Sequence, residues 1–336
     1  METLKQILWN EQQRRLRTFW RLSVTTFIFT LLLVVLAIAI SVLAVIWMVA
    51  SGGSLQNVLT EMSTSPGFQV VDSLLVLLIV LVSMWLAARL LDRRPFADFG
   101  FHLDRDWWID LGFGLALGAL LMVGIFLVEW AAGWVTIAGT LQAATPSQPF
   151  IPALLQPLVL FLAVGVYEEL ISRGYLLQNL AEGFNWPILK TRGAIITAWL
   201  VSSVLFGLAH ADNPHATAVS TLNLILAGLF LGLGYVLTGE LAIPIGLHIT
   251  WNFFQGAVFG FPVSGMAPSA TLIAVVQGGP DLWTGGAFGP EAGGMGILAI
   301  LVGSLLVWLW VRWREGEATL QAGIAQPPTD FSSEEM

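Results

Sequence analysis

Long apolar runs alternate with short polar connectors along most of this chain. A helix needs about 20 apolar residues to cross the hydrocarbon core of a bilayer. Eight runs meet or approach that length, and each is predicted to be a membrane-spanning helix. They cover residues 22–50, 70–91, 107–134, 151–169, 193–210, 216–237, 241–261 and 294–313.

The ends of the chain differ from this apolar centre. Residues 1–21 form a basic N-terminal segment, residues 22–313 form the eight-helix transmembrane domain, and residues 314–336 are a polar tail predicted to be disordered. The first run is much longer than the 7–15-residue core of a cleaved signal peptide, so we interpret it as a retained span. The connectors around 135–150 and 262–293 are rich in turn residues and are predicted to be loops.

Composition strengthens the membrane interpretation. The 336 residues are 56% hydrophobic and 11% charged, whereas a typical soluble domain is about 25% charged. The predicted fold class is therefore an all-α polytopic membrane protein. The sequence contains no cysteine, which excludes disulfides, thiolate catalysis and thiolate metal ligands. The net charge of −8 comes largely from loops and the tail and identifies no partner.

The basic residues are distributed asymmetrically between the two sides of the predicted bundle. All 14 Lys and Arg residues lie in or beside alternate connections, and the connections on the opposite side contain none. By the positive-inside rule, both termini are predicted to be cytoplasmic. Two glycine repeats, Gly114/Gly118 and Gly228/Gly232, indicate close packing between helices.

One charged stretch follows an apolar run directly: residues 165–174, G-V-Y-E-E-L-I-S-R-G. An ionised side chain at membrane depth costs about 2.5–3.5 kcal/mol on insertion scales. Glu169 and Arg173 have the i, i+4 spacing that favours an ion pair on a helix. Glu168 lies about 100° around the helix from Glu169 and can face a different neighbour. The alternative is that all three side chains snorkel to the headgroups at a helix end.

Two of the four histidines lie within or at the end of apolar runs, namely His210 and His248. His248 and Asn252 have i, i+4 spacing and share a helix face. His102 and His215 lie in polar connectors and are interpreted as solvated surface groups. With the glutamates, these residues offer a carboxylate base, imidazoles that can donate, accept or bind metal, and an amide donor for an oxyanion.

The sequence lacks a G-x-S-x-G elbow and an H-E-x-x-H helix. A general-base hydrolase, with or without a metal, fits the groups that are present. The alternatives are a non-catalytic membrane scaffold, such as a bacteriocin-immunity or partner-binding protein, and a transporter with a Glu/His proton relay. The transporter is disfavoured because the sequence shows no inverted repeat.

Three short motifs in order resemble those of the CPBP family, which comprises the type II CAAX prenyl endopeptidases and the bacterial Abi-type intramembrane proteases. The resemblance covers about residues 90–260. The motifs are Glu168-Glu169-x-x-x-Arg173, Phe206-x-x-x-His210 and His248-x-x-x-Asn252.

The resemblance implies an intramembrane endopeptidase whose polar site lies below the cytoplasmic surface. By position, Glu168 would activate water together with His210, while His248 and Asn252 would bind the oxyanion or a metal. The implied partners are a membrane-associated peptide or protein substrate and the lipid bilayer. No nucleic-acid partner is expected.

The family resemblance also assigns a supporting role and leaves the metal open. Glu169 and Arg173 would brace the site. Glu168, His210 and His248 form a ligand set compatible with Zn²⁺, which usually takes three protein ligands and a water. A metal-free glutamate mechanism is equally compatible with these residues.

The predicted spans place the site residues at different depths. At 1.5 Å per residue, His210 is about 25 Å from the cytoplasmic side and His248 about 10 Å. The side chains can meet only if run four continues as a helix past Arg173 and run five begins below the membrane plane.

Overall fold

The structure is a computed structural model that describes residues 6–145 and 148–328. Most of this part of the chain is helical. The α-helices are α1 Thr18–Ser51, α2 Leu55–Thr64, α3 Pro66–Leu86, α4 Arg105–Ala131, α5 Phe150–Glu169, α6 Gln178–Phe184, α7 Lys190–Leu208, α8 Ala218–Thr238, α9 Ala242–Phe253, α10 Asp281–Thr284 and α11 Gly294–Glu315. Three π-helical segments, Ala87–Asp92, Leu170–Leu177 and Phe254–Val258, extend α3, α5 and α9.

The predicted fold class is confirmed, because the chain is a polytopic bundle of apolar helices. Within the described residues, seven segments are long and apolar enough to cross a membrane. They correspond to seven of the eight predicted spans. They are 18–51, 67–92, 105–131, 150–184, 190–208, 218–238 and 294–315.

The remaining predicted span, 241–261, is shorter than expected. Helix α9 and its π-helical extension end at Val258 and reach only about 25 Å at 1.5 Å per residue. Every side chain from Ala242 to Ile249 is buried, so this segment lies at the centre of the bundle. Its hydrophobicity reflects contact with protein, which explains why a hydropathy pattern alone overestimates its length.

Glycines allow α4 to approach this central helix. A Cβ at Gly114 would collide with the Ile243 carbonyl, and one at Gly118 would collide with the Leu247 carbonyl. In α8, a Cβ at Gly228 would lie 3.1 Å from Ser203. The close packing predicted from the glycine repeats is therefore present.

Run four continues well past Arg173, as the depth argument required. Helix α5, the π-helical segment and α6 form one continuous segment from 150 to 184 of 35 residues. Residues 175–184 form the end of this long helical segment. Helix α7 begins beside that end, at Lys190, and therefore starts farther from the bundle centre than α9 does.

The two predicted loops between spans pair with each other in a two-stranded antiparallel sheet. Strand β3, Val135–Ala143, pairs antiparallel with β4, Ala270–Gln277, with Val135 opposite Gln277 and a bulge between Ile137 and Gly139. The prediction of loops at these positions was wrong, because the pairing joins segments more than a hundred residues apart. Two shorter strands, β1 (Trp9–Asn10) and β2 (Arg15–Leu16), pair near the N-terminus.

Part of the tail is ordered where disorder was predicted. Residues Ala322–Ala325 form a 3₁₀ turn, and both Ile324 and Ala325 are buried. The Asn185 side-chain amide donates to the Ala325 carbonyl over 3.0 Å, and the Gln321 N–H donates to the Val236 carbonyl over 2.9 Å. These contacts attach the turn to the bundle, and residues 329–336 lie outside the described residues.

Five buried charged side chains, here called the terminal ion cluster, join the N-terminal hairpin to the bundle. Glu182 Oε2 lies 2.7 Å from Arg15 Nη2 and 3.0 Å from Arg21 Nη2. Glu182 Oε1 also pairs with Arg94, and Arg21 pairs with Asp92. All five side chains are at most 2% exposed. A segment predicted only as a basic N-terminal extension is therefore built into the fold.

Candidate active site

A cavity of about 530 Å³ opens within the bundle. Its walls are α5 with the π-helical segment that follows, α7, α8 and α9. A further wall is the segment from 259 to 293, here called the cap, which joins α9 to α11. Most of the lining is apolar, with Leu160, Val164 and Leu205 among the wall residues. Its polar side chains include Glu168, His210, His248, Asn252, Ser264 and Glu291.

Glu168 lies in the last turn of α5 and points into this cavity. Its Oε2 atom is 4.0 Å from Nε2 of His210 and 3.9 Å from Nε2 of His248. That oxygen is buried and forms no hydrogen bond with the described residues. The side chain as a whole is 23% exposed, which distinguishes it from its fully buried neighbour Glu169.

His210 lies just beyond the C-terminal end of α7. Its Nδ1 atom is 2.8 Å from the Phe206 carbonyl oxygen. A carbonyl can only accept a hydrogen bond, so this contact assigns the proton of the neutral ring to Nδ1. The Nε2 lone pair therefore faces the Glu168 carboxylate.

His248 lies in the buried helix α9 and is oriented by the second glutamate. Its Nδ1 atom is 2.8 Å from Oε1 of Glu169, and an ionised carboxylate only accepts. In the neutral ring, Nε2 is again the free acceptor and points toward Glu168. Asn252 lines the same cavity one helical turn farther along α9.

Arg173 holds Glu169 in this position. Its Nη1 atom is 2.8 Å from Glu169 Oε1, and its Nη2 atom donates to the Gly228 carbonyl over 2.9 Å. The guanidinium also lies 4.5 Å from the centroid of the Phe206 ring. The charge of Glu169 is thus neutralised within the protein, while the adjacent Glu168 is left for the cavity.

Three acceptor atoms face one another in the neutral site: the Glu168 carboxylate oxygen and the two imidazole Nε2 atoms. A water molecule or a shared proton satisfies such an arrangement. Nitrogen and carboxylate donors of this type also suit zinc. Among the described residues, no group of three or more His, Asp or Glu is arranged to hold a metal ion.

The protein is thus an integral membrane protein with a glutamate–histidine cavity enclosed by its helices. A family model described as type II CAAX prenyl endopeptidase Rce1-like matches residues 150–254, which confirms the family resemblance over that segment. The matched segment runs from the start of α5 to just beyond α9. It contains all six predicted site residues.

A relative from Bacillus subtilis (strain 168), described as the uncharacterized protein YyaK, is 27% identical over 213 residues. The match covers 61% of this chain and 66% of the relative, so it spans slightly less than two thirds of the relative's length. No solved structure matches the chain.

The structure adds cavity residues that the sequence motifs did not indicate. Ser264 and Glu291 line the cavity from the cap, outside the matched segment. The only sequence signal for Glu291 is its position as a single acid in a Gly/Pro/Ala-rich stretch. The two remaining histidines are outside the cavity lining, and His102 Nδ1 lies 2.6 Å from Glu240 Oε1 at the protein surface.

Proposed function

We propose that this protein is an intramembrane endopeptidase that hydrolyses a peptide bond with water activated by Glu168. The observation that carries the proposal is the orientation of the Glu168 carboxylate. It faces two imidazoles inside a mostly apolar cavity, while the adjacent acid is neutralised by arginine. Burial among apolar walls raises the strength of such polar interactions.

In the first step, Glu168 accepts a proton from a water held between it and Nε2 of His210. The resulting hydroxide attacks the carbonyl carbon of the scissile amide, and a C–O bond forms. A positioned general base of this kind typically contributes 10²–10⁴-fold to the rate. His210 is suited to hold the water because its Nδ1 proton is already donated to the Phe206 carbonyl.

The carbonyl oxygen becomes an oxyanion, and two donors on α9 are available to stabilise it. Asn252 offers its carboxamide N–H, and His248 offers Nε2–H when the ring is protonated. The C–N bond then breaks, the amine leaves with the proton returned by Glu168, and the other product is a carboxylic acid, which becomes a carboxylate by giving its proton to the amine or to water.

The substrate is proposed to be a membrane-associated peptide or protein. Apolar side chains dominate the cavity walls, and Leu205, one of the lining residues, is 46% exposed. An apolar segment can therefore approach from the lipid while the peptide bond reaches the polar side chains. Both termini are proposed to face the cytoplasm, which a reporter fused at either end would check against one inserted in the cap.

Hydrolysis by purified full-length protein in detergent tests the proposal. The probes are a farnesylated peptide that ends in a CAAX sequence and an unmodified transmembrane peptide. We expect E168Q to lower the cleavage rate about 1,000-fold with an unchanged melting temperature, because amide and carboxylate have nearly the same shape. The matched control E240Q, at a surface carboxylate outside the cavity, should keep full activity.

Two further outcomes separate the alternatives. Zinc bound by Glu168, His210 and His248 predicts that a chelator abolishes cleavage and that added Zn²⁺ restores it, whereas the water mechanism predicts no effect. A non-catalytic scaffold predicts that neither the native protein nor E168Q releases product. Equal cleavage by the native protein and E168Q would contradict the assignment of Glu168.

A further inference from the structure

A second carboxylate, Glu291, borders the cavity from the cap and has no role in the proposed reaction. It lies in the 3₁₀ turn Pro290–Ala292 and is 4% exposed. The Ser264 backbone N–H donates to its Oε1 over 2.6 Å, and the Gln255 side-chain amide donates to its Oε2. Both carboxylate oxygens are therefore engaged by donors from other parts of the chain.

We propose that Glu291 is a positioning residue that fastens the cap to the end of α9 and so controls closure of the cavity. Gln255 belongs to the π-helical extension of α9, three residues beyond Asn252. Ser264 belongs to the opposite part of the cap and lines the cavity. Glu291 therefore bridges the element that carries the site and the segment that covers it.

Other contacts converge on the same junction. The Gln255 amide also donates to the Pro262 carbonyl over 2.6 Å, and the Phe261 N–H donates to the Gln255 carbonyl over 2.9 Å. Gly289 has φ of 122°, and a Cβ there would lie against both the Glu291 carboxylate and the Gln255 amide. The backbone is thus shaped to bring the acid and the amide together.

The protonation of Glu291 gives this junction a measurable signature. Burial raises the pKa of Glu291 from 4.5 to about 7, although the bonds from Ser264 and Gln255 lower it in part. Cap opening would hydrate the carboxylate and return its pKa toward 4.5. The closed form therefore binds the proton more tightly, and rising pH between about 4.5 and 7 favours opening by up to about 300-fold.

Protonated Glu291 can remain in the closed junction. The side-chain amide oxygen of Gln255, Oε1, is buried and has no hydrogen-bond donor among the described residues, so a rotated Gln255 amide can accept the carboxylic proton. Several other titratable groups lie near the cap or across the cavity, and none of them is a cause of the shift at Glu291. They are Glu168, His210, Asp212, His215, His248 and Asp281.

Cysteine labelling of the full-length protein tests the proposal directly, since the native chain contains no cysteine. V263C places a thiol on a cap residue that lines the cavity and is 6% exposed. L282C places one on a cap residue that is outside the cavity lining and 74% exposed. The ratio of their N-ethylmaleimide labelling rates cancels the common pH dependence of thiol ionisation and reports cap opening.

In the native background we expect this ratio to rise at least about tenfold between pH 5 and pH 8. E291Q resembles the protonated acid and should keep the ratio low at both pH values. E291A removes the bridge and should keep it high at both. D281N removes an exposed carboxylate from the same cap and should titrate like the native protein.

A ratio that does not change with pH in the native background would overturn the proposal. So would an E291Q protein that is folded and titrates as the native one does. If E291A fails to fold, the native and E291Q profiles still decide the question. Labelling requires no hydrolysis, so this result is independent of whether the peptidase proposal succeeds.

Discussion

Two regions of this molecule bury arginines and carboxylates together, and they use them differently. In the terminal ion cluster, the Glu182 carboxylate contacts three arginines from two other parts of the chain. In the cavity, Glu169 is paired with Arg173 in the same manner. The cavity differs because Glu168 remains outside the pairing and faces two histidines.

This difference separates a structural use of charge from a chemical one. A buried carboxylate surrounded by guanidinium groups has its acceptor sites occupied and is poorly suited to take a proton. A carboxylate held beside a neutralised neighbour, with one face on a cavity, remains able to accept one. Burial alone therefore does not identify a reactive group. The absence of a cationic partner beside a cavity is the more informative property.

The largest stability effect is expected when the terminal ion cluster loses its acid. E182Q leaves Arg15, Arg21 and Arg94 without their shared counterion, and breaking a buried ion pair typically costs about 3–5 kcal/mol. Thermal unfolding in detergent should show this loss, while the folded fraction keeps its specific peptidase activity. E317Q, at an exposed carboxylate, should match the native protein in both measurements. If the E182Q protein kept its stability but lost activity, the terminal ion cluster would have a chemical role, and the distinction between the two regions would fail.

A smaller loss of stability is expected when Glu169, beside the cavity, loses its arginine partner. R173A leaves Glu169 buried without its cation, at a cost near the lower end of about 3–5 kcal/mol, since Glu169 retains its bond to His248. We expect reduced folded yield together with reduced activity. R192A, at an exposed arginine on α7, is the control. An R173A protein of native stability, inactive to the same degree as E168Q, would show that Arg173 acts directly in the chemistry.

The smallest effect is expected at Tyr175, which lies between the two regions. Its hydroxyl is 2.6 Å from Thr25 Oγ1 and connects α1 to the helical segment from 150 to 184. Y175F removes this hydrogen bond and should lower the free energy of unfolding by about 1 kcal/mol. Because Tyr175 is outside the cavity lining, cleavage should be unchanged. A tenfold loss of cleavage in a stable Y175F protein would indicate that the two regions are coupled.

The apolar runs predicted the fold class and most helices because lipid imposes a simple rule on each spanning segment. That rule failed at α9, whose apolar surface faces protein, and at the β3–β4 sheet, whose pairing is non-local. The terminal ion cluster was also missed. Its partners are up to 167 residues apart, and no local sequence pattern signals their pairing.

The site was easier to predict than its surroundings. Glu168, His210, His248 and Asn252 lie in short motifs, and the cost of each group in lipid argued for a shared cavity. Their catalytic roles stay predictions until hydrolysis is measured. Glu291 was missed because no neighbouring residue in sequence signals its contacts with Gln255 and Ser264.

The long helical segment from 150 to 184 also has a mechanical consequence. Glu168 and Glu182 lie on this one helical segment, about 21 Å apart at 1.5 Å per residue. Three arginines hold this segment at Glu182. Near its other end, the Gln156 side chain accepts a hydrogen bond from Ser269. A helix that is held more strongly at one end moves least near that end. Widening of the cavity to admit a substrate should therefore displace Leu160 more than Ser172, with Glu168 displaced by an intermediate amount.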